Sequence, residues 1–559
     1  MDFNLAEVQE GLAGRLGERE AIVTPDRRIT WSELTDRTRR LANVFRSAGL
    51  GCHRERSELA DHEAGQDRVA ICLLNGHEYL EGILGAFKAR LAPCNVNYRY
   101  VTAELEQLLT DMAPGAVLYH SQFAAQLDAA LSSLCAAGIM DRPLLLEVPD
   151  GSRVPMLAGA LDYETALAAA PSHRPALDWS PDDLYILYTG GTTGKPKGVL
   201  WRQADIFVTA LGGRNYGEGG REWGSIEELA EAAARKSPGT RGVSAAPFMH
   251  GTGQWVSFQA LHTGGTVVIQ RVVDRFDAGD VLDTIERERA SLLTIAGEAF
   301  AASLIDAMDG RRRDLSSLAV LSSSGSALSP KSKEAIMARL PAVRIRDTMG
   351  SSEAGPVADN VSVPGGLNER SVRFRPDPLT VVLDEARSTI LRPGHDGSGW
   401  LARSGRIPLG YMNDAGKTAA TFRSIDGRRF TIPGDRARLL LDGTLEVLGR
   451  DAVTINSGGE KIFAEEVEAA VRHHPGVRDV IVVGRPSERW GSEVVAIVEP
   501  EPGEGIADSE LLATCAQQIA RYKLPKAVIT VERVKRNPAG KADYAWAKSV
   551  AAGTLLPDA

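Results

Sequence analysis

Cysteine is scarce in this 559-residue chain: the five present, Cys52, Cys72, Cys94, Cys135 and Cys515, lie far apart with no Cys-x-x-Cys pair. That spacing points neither to a disulfide framework nor to a zinc site, and it fits a reducing cytoplasm. Long apolar runs are missing as well: no stretch approaches the roughly 20 apolar residues that span a bilayer, so no integral membrane segment is expected. The N-terminus, Met1-Asp-Phe-Asn-Leu-Ala-Glu7, is acidic where an export signal has a basic segment followed by an apolar one. Charge of one sign is lacking too. The formal net charge of -9 is spread over mixed acidic and basic residues, which leaves no basic footprint for nucleic acid. These absences predict a soluble, cytoplasmic protein.

What is present is ordinary globular material, 43% hydrophobic and 25% charged. The length exceeds the roughly 250 to 300 residues at which a single core stops growing, so two or more packed units are expected. Apolar, β-rich runs at 69–74, 184–188, 265–269 and 319–322 alternate with helical patterns, the signature of a layered α/β architecture. Residues 212–242, rich in Gly, Arg and Glu, read as a surface insertion whose middle, 225–235, could form a short helix. From about Arg450 the pattern becomes a compact α/β unit: a Gly-Gly turn, an amphipathic helix over 464–471 stopped by Pro475, strands at 480–483 and 494–498, and a helix capped by Asp508. The expected domains are 1–450 and 451–559.

The clearest chemical signal is the apolar strand Leu184-Tyr-Ile-Leu-Tyr188 running into Thr189-Gly-Gly-Thr-Thr-Gly-Lys-Pro-Lys-Gly198. Gly190, Gly191 and Gly194 let backbone N–H groups approach phosphate oxygens, Thr189, Thr192 and Thr193 add hydroxyl donors, and Lys195 and Lys197 add charge. It is not a Walker A loop, because Pro196 follows Lys195 where that motif needs Ser or Thr. A second small-residue turn, Asp347-Thr-Met-Gly-Ser-Ser-Glu-Ala-Gly355, carries a carboxylate. Gly434-Asp435 and Leu448-Gly-Arg450 can grip ribose hydroxyls, Ser457-Gly-Gly-Glu460 is a narrow turn, and Asn537-Pro-Ala-Gly-Lys541 stands near the end. Taken alone, Lys541 reads as a solvated lysine and Glu353 as a solvated turn carboxylate; their company reverses both readings.

In this order and spacing the motifs resemble the adenylate-forming (AMP-binding) acyl-CoA synthetase superfamily, over about residues 28–543. Pro247-Phe-Met-His-Gly-Thr-Gly-Gln-Trp255 and the stretch 449–461 resemble its bacterial fatty-acyl and steroid side-chain CoA ligases most closely. The resemblance implies a large multi-sheet N-terminal adenylation domain plus a small mobile α/β C-terminal domain. It implies ATP, Mg²⁺ and CoA as co-substrates and cofactor, and a carboxylic acid activated first as acyl-AMP and then transferred to the CoA thiol. Lys541 would be the cation on the reacting oxygens, Glu353 the Mg²⁺ carboxylate, and Ser352, where the family usually has threonine, a donor to the α-phosphate. Ser324, Gly325, Ser326 and Ala327 would lie along adenine, with Asp347, Thr348, Met349, Gly350 and Ser351 completing the nucleotide site. Asp435 and Arg450 would hold the ribose, and Ser457, Gly458, Gly459 and Glu460 the wall of the thiol tunnel. Two departures stand out: Met349 replaces an adenine-stacking aromatic, and the hinge after Arg450 falls at Asp451 and Ala452, with the usual Asp or Lys hinge residue aligning on Ala452.

Candidates to line the acyl pocket are Trp201, His250, Gly251, Gln254, Trp255 and Gly297, with Ser324, Gly325 and Met349 at its edge. Most are small or apolar, which favours a hydrophobic monocarboxylate over an amino acid or a dicarboxylate. His250 reads equally as a gate or as a structural histidine, and Glu298 as a cap or surface carboxylate. The rivals are an enzyme that hands its acyl group to a carrier protein or stops at acyl-AMP, and a non-catalytic acyl or nucleotide sensor. The absence of a carrier domain after Asp543 favours free CoA over the first, and retention of Lys541 and Glu353 speaks against the second. A homodimer is an option that no motif demands.

Overall fold

The computed structural model describes the chain apart from residues 1, 190–195, 237, 325–327, 367–372, 451–452, 458–459, 488–490, 504, 520, 538–539 and 556–559; at 450, 456, 460, 461 and 491 it describes the backbone alone. The fold is mixed α/β, a large N-terminal domain followed by a smaller C-terminal one, as the sequence led us to expect. By packing, the chain forms two compact units. One comprises 1–294, 351–356 and 404–431, the other 295–350, 357–403 and 432–559.

The first unit contains an eight-stranded sheet in the order Gly410–Tyr411, Lys197–Arg202, Leu184–Thr189, Ala92–Asn95, Arg68–Cys72, Ala116–His120, Leu144–Val148 and Leu161–Asp162. From Leu184–Thr189 to Leu161–Asp162 the neighbours are parallel, which requires both faces to be covered by crossover segments. Leu184–Thr189 accordingly reads as a continuous apolar run and is buried everywhere except at Thr189. Lys197–Arg202 returns antiparallel to it, with Thr189 opposite Lys197. In a second sheet of this unit Glu20–Val23, Thr266–Val268, Arg241–Ser244 and Leu292–Ile295 run parallel.

The insertion at 212–242 is less peripheral than its composition predicts. Its helix Ile226–Arg235 is capped by Ser225 and buries Leu229, Ala230 and Ala233. It lies on the helix Leu5–Leu16 so closely that a Cβ on Gly11 would sit 2.2 Å from Ile226 Cγ2. The apolar stripe at 3.6-residue spacing outweighs the charged composition, and only the opposite face meets water.

In the second unit Val320–Ser324 pairs parallel with Arg344–Ser351, bringing Ser323 beside Asp347 and Ser324 beside Thr348. Further along, Asp435–Leu439 and Leu445–Arg450 form an antiparallel pair. The C-terminal part is built on Val477–Ser487, Gly491–Pro500 and Ala527–Thr530. Alternation decides its layers: Val480, Val482, Val494, Ala496 and Val498 join a core with Val467, Val471, Leu511 and Cys515. Ile481, Val483, Val495 and Ile497 point the other way, into a core with Trp546, Ala547 and Val550. The helix over 464–471 appears with those bounds. The helix Asp508–Cys515 is instead capped at Ala507, because Asp508 has entered the first turn, where its charge complements the helix dipole.

Candidate active site

In the first unit the loop of small and basic residues is held at its root. Gly190, Gly191, Thr192, Thr193, Gly194 and Lys195 lie outside the described residues, but both flanks are described. The Asn95 side chain donates to the Tyr188 carbonyl at 2.8 Å and to the Met249 carbonyl at 2.7 Å, and accepts from the Tyr188 N–H at 2.7 Å. A buried amide used on both its faces fixes where the strand ends and the loop starts.

Glu353 belongs to the same unit and does not stand as a lone turn carboxylate. The Tyr411 hydroxyl donates to its Oε1 at 3.0 Å. The Tyr411 ring, buried at 3% exposure, has Lys197 Nζ 5.9 Å and Lys417 Nζ 5.3 Å from its centre. Two ammonium groups thus lie near one aromatic ring, and the hydroxyl of that ring holds the Glu353 carboxylate. The turn is fixed through its backbone: the fully buried Trp201 donates Nε1–H to the Ser352 carbonyl at 2.9 Å. Gly355, at φ +69°, has no space for a side chain, since a Cβ would lie 2.4 Å from Thr209 Cγ2. Ser351 Oγ is buried without a hydrogen-bond partner among the described residues. Among the described residues no cluster of three His, Cys, Asp or Glu side chains could hold a metal on its own. A single held carboxylate fits Mg²⁺, which is commonly bound through one or two carboxylates together with substrate phosphates.

On the acyl side, His250 precedes and caps the helix Gly251–His262. A Cβ on Gly251 would come within 2.9 Å of Leu187 and 3.4 Å of the Trp255 ring. Gln254 is buried and engaged: it accepts from the Tyr185 hydroxyl at 2.6 Å and donates to the Phe248 carbonyl at 2.7 Å and the Tyr79 hydroxyl at 3.2 Å. Trp255 Nε1–H donates to the same Tyr185 oxygen at 3.2 Å.

In the second unit Asp347 is buried at 2% exposure against Lys333, with 2.5 Å between Oδ2 and Nζ. Its other oxygen accepts from the Leu328 N–H at 3.3 Å. Burial pushes its pKa up, a push that the Lys333 ammonium opposes without cancelling. Asp347 thus ties Leu328 to the strand that carries Thr348 and Met349; Gly325, Ser326 and Ala327 lie outside the described residues. Glu298 is a cap, and a buried one: it accepts from the Ser329 N–H at 3.0 Å and hydroxyl at 2.8 Å, and from the Ser332 hydroxyl. Gly297, at φ +75°, begins its helix. Gly350 is exposed at the end of its strand.

Asp435 and Arg450 stand opposite each other in the register of the antiparallel pair. Ser457 is buried and pairs with Glu460 across the hairpin Thr454–Ser457 and Glu460–Phe463, while Gly458 and Gly459 lie outside the described residues. Lys541 is exposed at the end of a tight turn. Its N–H donates to Asn537 Oδ1 at 3.0 Å, its carbonyl accepts from the Asn537 N–H at 2.8 Å, and the Gly540 N–H donates to the Asn537 carbonyl at 2.8 Å. Asn95, Tyr411 and Lys333 escaped the reading of the sequence, since each is an isolated polar residue whose partners are remote in the chain.

Residues 10–407 match the family model described as AMP-binding enzyme, and 466–541 that of the AMP-binding enzyme C-terminal domain. The chain is 48% identical over 549 residues to the medium-chain acyl-CoA ligase Mig of Mycobacterium avium, covering 98% of each chain. It is 38% identical over 556 residues to the 3-oxocholest-4-en-26-oate–CoA ligase of Rhodococcus rhodochrous, covering 98% of this chain and 96% of that one. Among solved structures, the anthranilate CoA ligase AuaEII superposes with a TM-score of 0.80 at 20% identity, over 99% of this chain and 98% of that one. A benzoate CoA ligase from Burkholderia xenovorans gives 0.77 at 21% identity, over 98% and 100%. At such identities the structures speak for the fold alone.

Proposed function

We propose, given that this chain belongs to the AMP-binding enzyme family and is an AMP-forming acid–CoA ligase, that the acid it activates is a hydrophobic monocarboxylate: a medium- or long-chain fatty acid or a steroid side-chain acid. The observation carrying this choice is the state of Gln254. Its amide is used up on Tyr185, Tyr79 and Phe248, so beside it Leu187, Gly251 and Trp255 offer an arriving chain carbon surface rather than a free amide. The relatives named for medium-chain acyl groups and for a steroid acid support the same choice.

In the first half-reaction a carboxylate oxygen of the acid attacks the α-phosphorus of ATP; the new bond gives acyl-AMP, and the bond to pyrophosphate breaks with its electron pair leaving on pyrophosphate. Charge grows on the phosphoryl oxygens, and preorganised cations and donors lower the barrier. The loop at 189–198 cradles the phosphates, Lys197 and Ser352 face them, and Lys541 neutralises the reacting oxygens. Glu353, aimed by Tyr411, would hold Mg²⁺, which when bound shields the phosphate charge. Asp435 and Arg450 take the ribose hydroxyls. In the second half-reaction the CoA thiol, passing Ser457 to Glu460, attacks the acyl carbon and expels AMP. Lys541 must then withdraw, with 451–559 moving as a body about Asp451 and Ala452.

The test is a panel of fatty, aromatic, steroid side-chain and dicarboxylic acids, scored for AMP formed in the presence of ATP, Mg²⁺ and CoA. We expect turnover with fatty or steroid acids and little with dicarboxylates. Preference for a dicarboxylate or an amino acid would refute the substrate class, and acid-dependent pyrophosphate release without CoA-dependent AMP formation would point to a carrier protein as acceptor or to an enzyme that stops at acyl-AMP.

A further inference from the structure

The turn that presents Lys541 is fastened to the body of the C-terminal domain by an ion pair that no motif flags. Arg536 and Asp479 are both nearly buried, with side-chain exposures of 8% and 7%. Arg536 Nε and Nη2 donate to the two Asp479 oxygens at 2.5 and 2.6 Å, a fork-to-fork pair. The same guanidinium donates Nη2–H to the Val480 carbonyl at 3.3 Å and, on the opposite side, Nη1–H to the Gly540 carbonyl at 3.1 Å. Asp479 is itself fixed by the Val480 N–H at 2.8 Å and belongs to the strand Val477–Ser487. A path of short contacts therefore runs from the core sheet through Asp479 and Arg536 to the peptide joining Gly540 to Lys541.

The contacts that Asn537 makes within the turn fix its internal shape but not its direction. Direction needs points where the turn meets something else. Arg536 is one. Gly540 is another: at φ +70° it lies so close to the Ala296 carbonyl that a Cβ would come within 2.0 Å of that oxygen. A lysine on a flexible four-carbon stem is worth little to a transition state unless its backbone is aimed, because an error of about 1 Å can cost a hundredfold in rate.

The geometry points to Arg536 and Asp479 as positioning residues for adenylation, the pair that aims Lys541 without itself touching substrate. This rests on the role proposed above for Lys541. Arginine is required rather than any cation, since a lysine at 536 could meet Asp479 or the Gly540 carbonyl but lacks the planar fork that meets both at once.

The test separates the half-reactions in the full-length enzyme, with octanoate, ATP and Mg²⁺ for adenylation, read as pyrophosphate release, and supplied octanoyl-AMP plus CoA for thioester formation. Arg536→Lys, and the double variant Asp479→Asn with Arg536→Gln, which leaves no lone buried charge, should each lose about tenfold to a hundredfold in adenylation kcat. KM for ATP should change little, and thioester formation should stay within about threefold. Leu511→Ala, a core change in the same domain on the helix Asp508–Cys515, should lower the melting temperature without splitting the two half-reactions. Equal losses in both half-reactions, an unchanged adenylation rate in the folded double variant, or a split in Leu511→Ala would each overturn the inference. A wild type that forms octanoyl-CoA from octanoyl-AMP but never releases pyrophosphate with any acid would instead refute the proposed function, and this inference with it.

Discussion

Two lysine-bearing turns, one per unit, are anchored by opposite means. The loop at 189–198 grows out of a buried parallel sheet, its stem closed by the Thr189–Lys197 pairing and its root held by one neutral amide, Asn95. The turn at 536–541 has no such stem. One antiparallel bridge, Arg536 to Ala542, flanks it, and its direction depends on a buried arginine that shares itself between a carboxylate and a carbonyl. On the proposed mechanism the first part stays put and can be built into the sheet, whereas the second must approach and withdraw and needs its stiffness carried inside the moving body.

The sharpest way to break this comparison is to remove the lysine at the end of the second turn. Lys541→Ala should slow pyrophosphate release from ATP and octanoate about a hundredfold to a thousandfold, the scale of one lost transition-state donor. Thioester formation from supplied octanoyl-AMP should stay within about threefold of wild type. Parallel loss of both activities would mean that the two turns act together throughout the cycle.

On the fixed side, Glu353→Gln keeps the shape of the turn and its contact with Tyr411 while removing the charge. Adenylation should fall about a hundredfold, and the Mg²⁺ concentration for half-maximal rate should rise. Kinetics insensitive to Mg²⁺ in this variant would take Glu353 out of the metal site. Tyr411→Phe should give a smaller loss of the same kind, about fivefold to tenfold at low Mg²⁺ and recovered at high Mg²⁺, because only one hydrogen bond that aims the carboxylate is lost. A Tyr411→Phe loss that added Mg²⁺ did not recover would mean that the hydroxyl acts on something other than the metal carboxylate.

How much of this could be read from the chain follows the same division. The strand before the loop was legible because a sheet buried on both faces demands an unbroken apolar run, and the C-terminal helix over 464–471 because its apolar positions recur at helical spacing. The insertion helix was visible in outline, but its burial was not, since its partner, Leu5–Leu16, is about two hundred residues away in sequence. Asp347 and Glu298 show the limit at the site. Each looks like a polar residue beside a turn, and only the fold reveals that Lys333 neutralises one and that the other caps a serine-led helix. Side chains that act through remote partners leave no periodic trace.

The smallest expected effect concerns acid, and it discriminates between the two anchors because only one carries charge. Burial alone would raise the pKa of Asp479, but its hydrogen bonds and charge pairing with Arg536 outweigh that and hold it below the ordinary carboxylate value of 3.8. A carboxylate with a depressed folded pKa binds fewer protons folded than unfolded, so its stabilisation is fully present above pH 3.8 and is lost as pH falls through the folded value. Amide hydrogen exchange in residues 477–487 should therefore become faster, relative to the global rate, as pH is lowered from about 4 toward 2, after correction for intrinsic exchange. In Asp479→Asn that acid-induced loss should disappear, while the strand 184–189, held by the neutral Asn95, should show no such dependence on this substitution. An unchanged acid response at 477–487 in Asp479→Asn would mean that another group in that domain governs its behaviour in acid, and would remove the charge from the contrast between the two turns.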